Sequence, residues 1–172
     1  GDPLYVTALL NSIQIAATAA TICLVIGYPM ALAIARAPAR WRIPLLLAIM
    51  LPFWTSFLIR VYAWMGLLRN EGLVNAALQW VGLIDQPIQM LQTGFAVHLG
   101  IVYSYLPFMV LPLCASLERQ DLNLLEAAAD LGARPWHAFL TITLPLSLPG
   151  VLAGFLLVFI PALGEFVIPE LL

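Results

Sequence analysis

Where charge is missing constrains this chain more than any other feature. No charged side chain occurs from Pro3 to Ala35, from Ile43 to Ile59, from Gln86 to Leu117, or from Pro135 to Gly164. A helix that crosses a ~30 Å hydrocarbon core needs about 20 apolar residues. Four such segments fit: roughly Leu9–Ala35, Ile43–Leu68, Phe95–Leu117 and Gly150–Ile168. Only 7 basic residues, all arginine, and 9 acidic ones serve 172 residues. They cannot build a solvated surface, so lipid is the main solvent. The same scarcity of charge beside abundant apolar surface excludes disorder. Nothing resembles a basic nucleic-acid face, and no nucleic-acid partner is expected. The expected fold is all-α, a polytopic transmembrane helix bundle with about four spans. Residues 1–172 read as one membrane domain, an excerpt of a longer protein, with no basic stretch ahead of a short apolar run to mark a signal peptide.

Arginine sets the expected orientation. Arg36, Arg40 and Arg42 lie in the first connection, and Arg119 and Arg134 in the third, whereas the second has only Arg69 beside Glu71. Basic residues concentrate on the cytoplasmic side of short loops. Connections 36–42 and 118–149 are therefore expected in the cytoplasm and connection 69–94 outside. Trp54, Tyr62, Trp64 and Trp80 fall toward the outer side, where an aromatic belt forms. Cys23 and Cys114 sit in uncharged runs without ligand spacing and read as small apolar fillers, so no metal site is expected. Pro29, Pro52, Pro107, Pro112 and Pro161 punctuate the spans. Each removes a backbone donor and tends to kink a helix, which suits a bundle around a pathway better than a simple anchor.

The most informative stretch is Glu118–Pro149. Asp121 can cap a helix running to about Leu131 by accepting from a first-turn amide. Gly132 follows as the residue that takes positive φ at little cost. Pro135 suits the first turn of a second short helix, which ends at Ile142-Thr143-Leu144-Pro145. Ala127, Ala128 and Ala129 are small and permit close helix approach. The expected element is a helix–turn–helix at the membrane surface between two spans.

Glu126-Ala127-Ala128, then Gly132 after three residues, then Ile142-x-Leu144-Pro145 after nine more, resembles the EAA signature of ABC-importer permease subunits. The resemblance implies that residues 118–149 couple the spans to a cytoplasmic ATPase, with Glu126, Ala127, Ala128, Gly132, Leu144 and Pro145 in the coupling positions. It also implies a second permease subunit, identical or homologous, an external substrate-binding protein, an inner-membrane location, and flanking helices on both sides. No phosphate-cradling Gly-x-x-x-x-Gly-Lys occurs in the chain. ATP hydrolysis is therefore expected in the partner ATPase, which would hold ATP and magnesium, with no cofactor in this chain and no enzyme activity of its own.

Four further segments resemble polyamine (spermidine/putrescine) permeases: 51–64, 71–75, 103–108 and 159–169, among them Tyr103-Ser104-Tyr105-Leu106-Pro107-Phe108 and Pro161-Ala162-Leu163-Gly164-Glu165. Relatives for iron(III), phosphonates or opines share parts of them. A pathway for a flexible polycation would use carboxylates and aromatic faces. Glu165 is the candidate carboxylate, and Tyr103, Tyr105, Trp54 and Trp64 are the candidate aromatics. Two readings stay open for Glu165: a pathway group, or a solvated interfacial residue or one paired with Arg60 at similar depth. The aromatics read equally as packing or belt residues. Arg60 is expected to snorkel outward to headgroups or the outer loop; the alternative places it at the gate or against a binding protein. An unpaired arginine in the pathway would repel a cation, which favours snorkelling. His98 and His137 carry no assigned role. From other classes, an intramembrane enzyme lacks a nucleophile–base constellation, and a non-transport scaffold would need neither broken helices nor the glycine turn.

Overall fold

A computed structural model describes residues 3–165, and these are helical almost throughout, with no strand among the described residues. Two long apolar helices form the frame: α1 (Pro3–Arg36) with 34 residues and α5 (Gly94–Glu118) with 25. At 1.5 Å per residue they reach about 51 and 37 Å, enough to cross a bilayer with some tilt. Pro29 lies inside α1, and Pro107 and Pro112 inside α5, without ending either helix.

The second expected span, Ile43–Leu68, is not one straight helix. Helix α2 (Ala39–Met50) passes into a 3₁₀ turn (Leu51–Trp54), and α3 (Phe57–Leu68) starts after an extended Thr55–Ser56 step. The chain turns by 87° between 39–54 and 57–80. Pro52 supplies the cause, because it lacks the amide that would continue α2. Its own carbonyl accepts from the Thr55 hydroxyl at 2.7 Å and the Thr55 amide at 3.4 Å. Helix α4 (Leu73–Trp80) then leads to an irregular stretch before α5.

The last expected span, Gly150–Ile168, begins inside one unbroken helix, and a bend precedes it. Helix α7 (Pro135–Ala138), a π-turn (Phe139–Thr143) and α8 (Leu144–Leu146) precede α9 (Leu148–Leu163), with a 63° bend between 135–146 and 148–163. The expected end at Ile168 lies outside the described residues. Among the described residues two helices are long and apolar enough to cross, or up to four spans if each bent pair counts as one.

Helices α1, α5 and α9 make the core. Neighbouring lipid is as apolar as leucine, so association rests on close packing by small residues. Helix α1 buries Ala16, Ala19, Ala20, Cys23, Gly27 and Ala31 at three- and four-residue spacing. Helix α5 opposes them with Met109, Val110 and Leu113, all 0% exposed. Helix α9 buries Gly150, Gly154, Val158 and Ala162, one per turn. Both cysteines pack here as fillers, the Cys23 thiol toward Val102 O at 3.8 Å and the Cys114 thiol toward Ala31 O at 3.7 Å.

Helices α5 and α9 approach closely at two glycines. A Cβ at Gly150 would stand 2.5 Å from Ser116 Cβ and 2.8 Å from the Pro112 carbonyl oxygen. A Cβ at Gly154 would meet the Met109 sulfur at 2.8 Å and its carbonyl oxygen at 3.0 Å. Backbone cannot move aside, so Gly150→Ala should separate the helices and cost about 1–3 kcal/mol. Thermal unfolding in detergent checks this. Adding Ser116→Gly should recover only part of the loss, because the Pro112 carbonyl remains.

Candidate functional site

Residues 119–147 form the first candidate site. The Asp121 carboxylate accepts from the Asn123 amide at 3.0 Å and starts α6 (Asn123–Asp130). Gly132 takes φ +80°, and the Ala133 and Gly132 amides bond back to Ala128 O and Ala129 O, each at 2.9 Å. This is the Schellman closure of a helix. A Cβ on Gly132 would meet nothing within 4 Å, so the demand for glycine is torsional rather than spatial. Arg134 is extended ahead of Pro135, as a residue before proline prefers. The expected helix–turn–helix is thus present, with its first helix ending one residue short of Leu131.

This element is fastened at its far end and bare on its surface. The Gln120 side-chain amide donates to Thr143 O at 2.9 Å, tying the end of α5 to the π-turn. Ser147, fully buried at the bend into α9, donates its hydroxyl to Leu144 O at 2.8 Å. Its single proton is then committed, so the Tyr28 hydroxyl of α1 is the donor in the 2.7 Å Tyr28–Ser147 bond. Phe139 packs edge-on against Tyr28 at 5.7 Å. By contrast, Glu126, Ala127, Ala129 and Pro145 are exposed, and Ala128 and Leu144 half-buried. The close approach expected of Ala127–Ala129 is therefore not made within the described residues. Leu131 is 88% and Trp136 60% exposed, leaving an apolar face uncovered. Trp136 carried no expectation; a tryptophan beside the proline of a short surface helix was its signal.

The second candidate site lies between α3, α5 and the end of α9. The Tyr105 hydroxyl donates to Glu165 Oε2 at 2.8 Å, and Glu165 is half-buried. Phe108 stands 6.1 Å from Tyr105 and meets Phe53 edge-to-face at 5.4 Å. The Arg60 guanidinium carbon lies 5.7 Å from the Phe53 ring centre and 5.9 Å from that of Phe57. Arg60 is only 9% exposed, and its buried Nε has no hydrogen-bond partner among the described residues. The snorkelling expected of Arg60 is therefore corrected. The helix break at 51–56 folds Phe53 back over Arg60, and the side chain runs inward along aromatic faces.

Trp64 and Tyr103 pair with each other, edge-to-face at 5.2 Å, rather than joining Glu165. Trp54 stands apart at 72% exposure. The structure therefore brings together Tyr105 and Glu165 of the expected group, adds Arg60, Phe53, Phe57 and Phe108, and leaves Trp54 outside. The sequence beyond Glu165 in the 159–169 segment lies outside the described residues.

Two polar devices organise the far end. Asn75 is 1% exposed; its amide donates to Arg69 O at 3.2 Å and Ile88 O at 2.9 Å, and its oxygen accepts from the Ile88 amide at 3.0 Å. One side chain thereby spans the α3–α5 connection. His98 bridges α5 and α1 through Gly94 O and the Thr18 hydroxyl, each at 2.6 Å. A carbonyl only accepts, so His98 Nδ1 carries a proton.

Residues 5–172 match the family described as binding-protein-dependent transport system inner membrane component. The spermidine/putrescine transport system permease protein PotB of Escherichia coli K12 is 47% identical over 171 residues, which are 99% of this chain and 62% of that protein. PotB of Haemophilus influenzae is 44% identical, with 99% of this chain and 60% of that protein covered. The molybdenum transport system permease protein ModB of Mycobacterium bovis is 35% identical, over 93% of this chain and 59% of that protein. The chain spans about three-fifths of the length of these curated relatives.

Asn75→Asp keeps the shape but removes both donors, leaving two carbonyls with unmet demand at about 1–3 kcal/mol each. Limited proteolysis in detergent should show faster cleavage within 81–93, with cleavage elsewhere unchanged.

Proposed function

The chain belongs to the binding-protein-dependent transport system inner membrane components, and on that premise we propose that it is a permease subunit of an ATP-driven importer for polyamines. It is a transport subunit rather than an enzyme, and a separate cytoplasmic ATPase hydrolyses ATP. Two ATPase copies, a second permease subunit and an external binding protein complete the assembly. Connections 36–42 and 118–149 face the cytoplasm, and 69–94 faces outward.

One observation carries the coupling role. Glu126, Ala127, Ala128 and Gly132 form a closed helix and turn whose apolar neighbours, Leu131 and Trp136, are left uncovered. Such a knob is built to enter a groove on a partner. Its rear is bonded to α5 through Gln120 and to α1 through Ser147, so a push on the knob reaches two core helices as a rigid-body shift. The Leu144–Pro145 pair sits between the π-turn and the bend, where it fixes the exit toward α9.

For the solute, the supporting facts are the 47% identity to a spermidine/putrescine permease and the Tyr105–Glu165 pair within an aromatic file. A carboxylate at membrane depth attracts cations, and ring faces hold ammonium groups.

Two experiments test these assignments. Gly132→Val forces a β-branched residue into positive φ, at roughly 1–2 kcal/mol. ATP-dependent uptake should fall about tenfold while co-purification with the ATPase persists, and Gly132→Asn should do less harm. Uptake at the wild-type rate would remove the coupling role. Separately, the complete complex in proteoliposomes should carry labelled spermidine or putrescine in preference to iron(III) and molybdate. Transport of another solute with no polyamine uptake would overturn the solute and leave the coupling role in place.

A further inference from the structure

Arg60 is costly where it stands. A guanidinium taken out of water is ordinarily held by a carboxylate or a full set of acceptors, yet Arg60 Nε is buried with no hydrogen-bond partner among the described residues. Two phenyl rings, at 5.7 and 5.9 Å from its guanidinium carbon, give it cation–π contact. These rings belong to different rigid pieces. Phe53 lies on the 3₁₀ turn before the 87° break, and Phe57 lies on α3 beyond it. The cage is also open on one side, where Phe53 keeps 41% of its surface exposed.

We propose that Arg60 is a resident cation that fills the Phe53–Phe57 cage in this conformation, and that an ammonium group of the incoming solute displaces it. The inference rests on the polyamine reading above and names the residue that would decide entry for that substrate class. Primary and secondary ammonium groups suit the same ring faces as a guanidinium. From the cage, the file Phe53–Phe108–Tyr105 leads without interruption to Glu165, a counter-charge for the incoming cation. Displacing Arg60 breaks no hydrogen bond at Nε, and the solute ammonium takes over its contacts with the two rings. Until exchange occurs, the positive charge repels cations and closes the route.

The test uses the complete reconstituted complex with labelled spermidine. Arg60→Gln removes the competing cation, so the apparent KM should fall about tenfold and ATP hydrolysis without solute should rise. Arg60→Lys keeps the charge and should keep KM near the wild-type value. A measurement on the unaltered sequence covers the case in which the Gln variant fails to assemble. Spermidine should increase phenylglyoxal labelling of Arg60, resolved by peptide mass spectrometry, as the side chain leaves its cage. Wild-type polyamine uptake combined with unchanged KM in Arg60→Gln, or with spermidine protecting Arg60 or leaving its labelling unchanged, would overturn this proposal alone. Absence of polyamine uptake by the wild-type complex would overturn both it and the solute assignment.

Discussion

Inside a bilayer no water waits to receive a freed carbonyl, so a helix can break only where the chain supplies its own donor. At the 51–56 break, and at the bends of the surface segment 118–149, side-chain or backbone donors reach the nearby carbonyls. At the 3₁₀ turn, Pro52 O receives the Thr55 hydroxyl; at the π-turn, Thr143 O receives the Gln120 amide; at the bend into α9, Leu144 O receives the Ser147 hydroxyl. At the end of α6 the closing donors are the backbone amides of Gly132 and Ala133. Small hydroxyl and amide side chains thus add donors at the joints, and the proposed coupling element includes the π-turn, the bend and the end of α6.

Around the joints the three-helix core is held by contact rather than by hydrophobic drive, because lipid offers α1, α5 and α9 as apolar a surrounding as they offer one another. Gly150 and Gly154 bring the backbone of α9 against Pro112 and Met109. A packed core of this kind shifts between discrete arrangements instead of deforming smoothly, which suits a device that passes motion from one end to the other.

Local features were readable in the sequence and long-range ones were not. Gly132 and Asp121 could be placed because a turn and a cap depend on a few neighbouring torsions. Pro52 follows the end of its helix, whereas Pro29, Pro107, Pro112 and Pro161 lie within continuous ones; composition alone does not say which proline breaks a helix. A kink near Pro52 was legible in the span Ile43–Leu68, but its size of 87° was not. Arg60 was legible as a lone charge near the end of an apolar run, but its cage depends on Phe53 returning across the break. The Tyr28–Ser147 bond joins positions 119 apart, beyond any periodicity.

That bond has a mechanical meaning. Because Ser147 has already committed its proton to Leu144, the link from Tyr28 has a fixed donor and a fixed direction, and it sits at the elbow itself. The elbow cannot rotate without either parting from the 34-residue helix α1 or carrying it along. Helix α1 and the 119–147 segment are in this sense geared to each other, and a tooth lost from the gear at Tyr28 would let the two ends of the molecule turn independently.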